Sequence, residues 1–84
     1  MANFEIIHEV RIGEEGDWQL CFQWGIYFYE DGSSQKGYRF IWRRPDGSLQ
    51  PARGQARIPD AASLFELLYL AYKEGWFPNA EEEK

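Results

Sequence analysis

His8 and Cys21 are the only histidine and the only cysteine in this chain of 84 residues. Side by side they could act as a nucleophile pair, the imidazole taking the thiol proton. Their numbering argues against it. Each lies in a segment of alternating apolar and polar residues, and side chains on a β-strand alternate faces with period two. His8 shares its parity with Phe4, Ile6, Val10 and Ile12 and is expected as a buried structural histidine near Phe22, whereas Cys21 points to the opposite face. Cys and His also fall short of the ligand count that zinc requires. The acidic clusters Glu14, Glu15, Asp17 and Glu30, Asp31 lie in glycine-containing loops without the spacing of a calcium loop. No Lys-Ser/Thr follows those glycines, as a phosphate-cradling loop would need. The expectation is a non-enzymatic chain without catalytic residues, cofactor or metal.

The remaining chemistry lies in how charge is distributed. The net charge is −5, which argues against general affinity for nucleic acid. The middle of the chain is nevertheless basic: Lys36, Arg39, Arg43, Arg44, Arg53 and Arg57 stand against Asp46 alone. Arg39, Arg43, Arg44 and Arg53 therefore define an alternative surface for single-stranded nucleic acid, through phosphate contacts beside tyrosines that can stack with bases. Within this block, Lys36-Gly37-Tyr38-Arg39-Phe40-Ile41-Trp42-Arg43 resembles the first ribonucleoprotein consensus of RNA-recognition domains. That resemblance implies base stacking by Tyr38 and Phe40 on an open sheet face. The segment departs from the consensus at Arg39, which replaces a small residue, and at Arg43, which replaces an aromatic. The family order βαββαβ is also missing, since no helix is expected before residue 60. Tyr38 and Phe40 share parity with Trp24 and Phe28, which places them in a core under a helix.

The elements that position these residues follow from the same parity. The first strand runs from about Phe4 to Ile12, the second from Trp18 to Tyr29 and the third from Tyr38 to Arg44. Pairing Ile12 with Trp18 and Phe28 with Tyr38 keeps every large even-numbered residue on one face, and a slip by one residue would put those rings in water. Arg44-Pro45-Asp46-Gly47 reads as a tight turn. A short fourth strand, Ser48 to Arg53, is limited by Pro51 to an edge position. A C-terminal helix begins at Asp60 or at Ser63, where Ser63-Leu64-Phe65-Glu66 fits a capping box. It ends at Gly75, so that Trp76 and Phe77 can fold back. Its expected buried stripe is Leu64, Leu67, Leu68, Ala71 and Tyr72, with Phe65 at the border. The fold class is α+β: an antiparallel meander of three to four strands with one C-terminal helix on one face, βββ(β)α, in two layers. One domain is expected over 1–78, with an acidic, disordered tail over 79–84.

Fifteen aromatic residues supply the large buried areas that a chain this short requires. The lone cysteine and the lack of a signal-like start predict a cytoplasmic setting, and no run approaches the ~20 apolar residues that span a membrane. Some apolar residues are left over. Ile7, Tyr27, Tyr29 and Ile41 fall on the face away from the helix, and Leu70 falls on the polar side of the helix. With an unprotected first strand at the sheet edge, they predict a homodimer or another protein partner rather than nucleic acid.

Overall fold

The computed structural model describes residues 3–50 and 56–77. Three ten-residue strands, β1 (Asn3–Ile12), β2 (Gln19–Phe28) and β3 (Ser34–Arg43), precede one helix, α1 (Ala61–Lys73). The strands form one antiparallel sheet in the order β1-β2-β3, and α1 lies over β1 and β2 rather than β3. This is the βββα arrangement that the parity implied. Beyond β3 the pairing continues only through a bridge between Arg43 and Leu49, so no regular fourth strand forms among the described residues. Pro51 to Arg53 and the tail over 79–84 lie outside them.

Parity survives across β2 and β3, but the register is not the expected one. Ile12 pairs with Leu20 instead of Trp18, and Phe28 pairs with Ser34 instead of Tyr38. The second shift has a local cause. Tyr29 N–H bonds the Ser33 carbonyl at 2.9 Å, while the Asp31 carboxylate accepts the Ser33 N–H at 2.9 Å. Gly32 sits at φ +87° in the left-handed region that Asp-Gly turns use. The chain therefore reverses within Tyr29–Ser33, and β3 starts earlier than Tyr38. The same construction recurs at Arg44–Ser48: Arg44 N–H bonds the Ser48 carbonyl at 2.8 Å, Asp46 accepts from Ser48 N–H, and Gly47 has φ +88°.

In β1 the parity breaks. The pairing steps from Ile6↔Gly25 to His8↔Trp24, leaving Ile7 as a bulge with no opposite residue. The side chains before the bulge are thereby exchanged between faces. Phe4 leaves the even-numbered core face and packs on Tyr27 with ring centroids 4.6 Å apart. Its ring fills the space over Gly25, where a methyl group would overlap the Glu5 carbonyl oxygen.

The core consists of Val10, Leu20, Phe22, Leu67, Ala71 and Trp76, flanked by Ile12, Trp24, Phe40, Trp42, Ile58, Leu68, Leu70 and Phe77. The helix is anchored at both ends. Asp60, in extended backbone, accepts the Ser63 N–H at 2.7 Å, so Asp60 is the N-cap and the Ser63 capping box is not used. At the other end, Trp76 N–H bonds the Ala71 carbonyl and Gly75 N–H bonds the Tyr72 carbonyl, with Gly75 at φ +83°. This is a Schellman closure, and it drops Trp76 into the core at 4% exposure. Asp60→Ala should lower the thermal unfolding midpoint by a few degrees, because an orphan N–H loses its acceptor. Asp60→Asn should retain most of the midpoint; equal losses in both variants would count against capping.

Candidate interaction surface

The odd-numbered face, which the parity leaves away from the helix, is closed by one hydrogen-bond network. Register places Glu9, Gln23 and Arg39 side by side across β1, β2 and β3. Arg39 Nε donates to Gln23 Oε1 at 2.7 Å, and Gln23 Nε2 donates to Glu9 Oε2. Gln23 is fully buried, and both ends of its amide are satisfied. Arg43 donates to Glu9 through Nε at 3.2 Å and Nη2 at 2.9 Å, while Arg11 pairs with Glu9 at 2.9 Å. To reach Glu9, the Arg43 side chain must cross the row Arg11–Cys21–Ile41 that the register defines. That crossing explains why Cys21 and Ile41 are buried.

The electrostatics follow from this geometry. Burial alone would push Glu9 up, but hydrogen bonds from Arg43 and Gln23, with the nearby charges of Arg43 and Arg11, hold its carboxyl below the usual range. Burial, aided by the Glu9 charge, pushes the Cys21 thiol up to about 11. Cys21 is therefore a thiol near neutral pH rather than a nucleophilic thiolate. Because the folded-state pKa of Glu9 is depressed, its stabilisation is present above the unfolded value of 4.5 and is lost as pH falls through the folded value. Glu9→Gln should cost about 1.5 kcal/mol at pH 7, discounted for the solvent that reaches Arg11. In urea titrations at several pH values, the gap between wild type and variant should shrink below pH 4.5. A gap that does not change with pH would show that Glu9 acts by shape alone.

These bonds also locate the basic residues. Arg39 is bonded to Gln23 and lies over the Phe4 ring, 4.0 Å from its centroid. Arg43 is held by Glu9 and by the Gly47 carbonyl. Arg44 reaches Ser48 Oγ and the Leu49 carbonyl at 3.4 Å, and Arg53 lies outside the described residues. His8 faces Trp24 rather than Phe22 and is exposed rather than buried. Its ring stacks on Trp24, which stacks on Tyr38, at centroid separations of 5.5 and 6.1 Å. Tyr38 is not under α1, which contacts β1 and β2, and is 47% exposed.

The five apolar residues expected to form an interface do not make one patch; Tyr27 and Tyr29 meet, with ring centroids 6.5 Å apart, and the others lie elsewhere. Ile7 stands at the bulge on the β1 edge and is exposed. Tyr27 is half-buried against Phe4, and exposed Tyr29 bonds Gln35 through its hydroxyl at 3.4 Å. Ile41 is buried beneath the polar network, and Leu70 packs against the core. Leu70 displaces Tyr72 from the expected stripe. A leucine fills the space beside Leu67 and Ala71 without a hydroxyl that needs a partner, whereas a buried tyrosine must satisfy one. The helix is thereby rotated, and Phe65, Tyr69 and Tyr72 project outward at 66%, 59% and 60% exposure. Their spacing of four and then three residues is a second helical apolar row beside the leucines, legible in the chain itself.

Among the described residues no three His, Cys, Asp or Glu side chains cluster as metal ligands, and no helix is long and apolar enough to cross a membrane. The chain matches no family model, no curated protein and no solved structure.

Proposed function

We propose that this protein is a non-enzymatic interaction domain that works by self-association. One observation carries the reading: α1 is apolar on two opposite sides, one closed over the sheet and one projecting three aromatic rings into solvent. An apolar row of roughly 300–400 Å² matches the largest exposed patch of a typical monomer, and such patches are often functional. The polar groups support the same reading, because Glu9, Gln23, Arg39 and Arg43 are spent on one another and hold the sheet together. Light scattering on the full chain at tens of micromolar tests it. Twice the monomer mass is expected, and a monomer mass at that concentration overturns self-association.

A further inference from the structure

We infer that two copies of the domain pair through the outer faces of α1, antiparallel across a two-fold axis, an arrangement that rests on the self-association proposed above. Phe65, Tyr69 and Tyr72 occupy d, a and d positions of a heptad seam. Glu66 and Lys73 follow the two d residues directly. They are seven residues apart, so they lie on the same flank of the seam, and both are exposed. Lys73 Nζ stands 5.4 Å from the centroid of the Tyr69 ring, which puts its charge beside the seam.

A two-fold axis perpendicular to two antiparallel helices brings the same flank of each together, running in opposite directions. Glu66 then lies opposite the partner's Lys73, and Lys73 lies opposite the partner's Glu66. The charges close reciprocally, as an isologous interface demands. A parallel pair would set this flank against the Leu68 side of the other helix, where no charge answers. Each ring exposes about 120 Å², taking ~200 Å² per aromatic side chain. With Ala62, Glu66 and Lys73 at the rim, the two copies together bury on the order of 1,000 Å², the low end for a specific interface. The other surfaces fit a second copy less well: the β1 edge is broken at Ile7, and the odd face is crossed by the Arg43–Glu9 bonds.

Sedimentation equilibrium on charge variants of the full chain tests this geometry. All the substituted residues are exposed, and circular dichroism verifies that each variant is folded. Glu66→Lys and Lys73→Glu each turn both cross-pairs from attraction to repulsion, so each variant should dimerise about tenfold more weakly. The double exchange E66K/K73E should return wild-type affinity. An equimolar mixture of the two single variants should form a heterodimer tighter than either homodimer. Phe65→Glu should abolish pairing. A wild-type dimer that ignores Phe65→Glu or the charge reversals would place the contact elsewhere and overturn this arrangement while leaving self-association intact. A wild-type monomer would overturn both.

Discussion

Phe22→Ala should cost about 4 kcal/mol, the largest loss expected from a single substitution in this domain. Phe22 is 4% exposed and stands at the centre of the aromatic core. Its ring lies 4.6 Å from Phe40, 5.5 Å from Trp76, 5.6 Å from Tyr38 and 6.5 Å from Phe77, centroid to centroid. Phe40 and Tyr38 are fixed by strand pairing, and Trp76 by the closure of α1. None can move far into the vacated space, so most of the cavity remains and its cost adds to the lost transfer energy. Small domains are stable by only ~5–15 kcal/mol in total, and each kcal/mol shifts the midpoint of a chain this size by about 4–8 °C. The midpoint should therefore fall by roughly 20 °C, and urea unfolding should give a lower midpoint at an unchanged slope. Phe28→Ala provides the contrast. Phe28 has the same parity but is 41% exposed, and its loss should cost under ~1 kcal/mol. Equal costs at the two positions would mean that the core is not centred on Phe22.

Gly25→Ala should cost about 3 kcal/mol, although it adds a single methyl group. The backbone at Gly25 is not in the left-handed region, so the obstacle is space alone. A β-carbon there would overlap the Glu5 carbonyl oxygen and lie 2.6 Å from the Phe4 ring. A side chain can turn away, but a paired backbone oxygen cannot. The first half of β1 must lift off β2, losing the Phe4–Tyr27 contact and the Arg39 cation over Phe4. Hydrogen exchange should show faster exchange of amides at residues 3–6, with protection retained in Val10–Ile12. Gly37, opposite Gly25 on β3, is the control: its added methyl would meet only the Tyr27 ring, at 3.3 Å. Gly37→Ala should change stability by less than ~1 kcal/mol. If the two alanines proved equally tolerated, the close packing of β1 on Gly25 would be refuted.

The same turn chemistry is present in the chain at two places, but only one carries a strong local signal. Pro45-Asp46-Gly47-Ser48 and Glu30-Asp31-Gly32-Ser33 close the same way, with Asp accepting from Ser and Gly at positive φ. The first stands out because proline presets the turn. The second is followed by Ser34-Gln35-Lys36, whose polarity resembles more loop. These residues form strand because they extend β3 past the covered part of the sheet, where polar side chains remain in water. A strand that outruns its covering layer loses the hydrophobic alternation by which strands are recognised.

The aromatic helix row shows the same limit from the other side. Phe65, Tyr69 and Tyr72 have the spacing of a buried stripe, as do Leu64, Leu67, Leu68 and Ala71. Periodicity shows that α1 is apolar on more than one side. It does not show which side meets the sheet, since rotating the helix exchanges one apolar row for another.

The chain by itself determined the class of fold. Alternation with period two and a helical apolar period toward the C-terminus are local properties, set by backbone geometry and the exclusion of large side chains from water. Three matters were decided only in the tertiary structure. The bulge at Ile7 arises where β1 fits against Gly25, and Ile6-Ile7 carries no local mark of it. The burial of Ile41 depends on Arg43 reaching Glu9 across an intervening row, a contact between residues 34 apart in sequence. The rotation of α1 depends on whether Leu70 or Tyr72 packs against the core cluster. Each is a competition among contacts distant in sequence, so its outcome rests on three-dimensional fit rather than on local pattern.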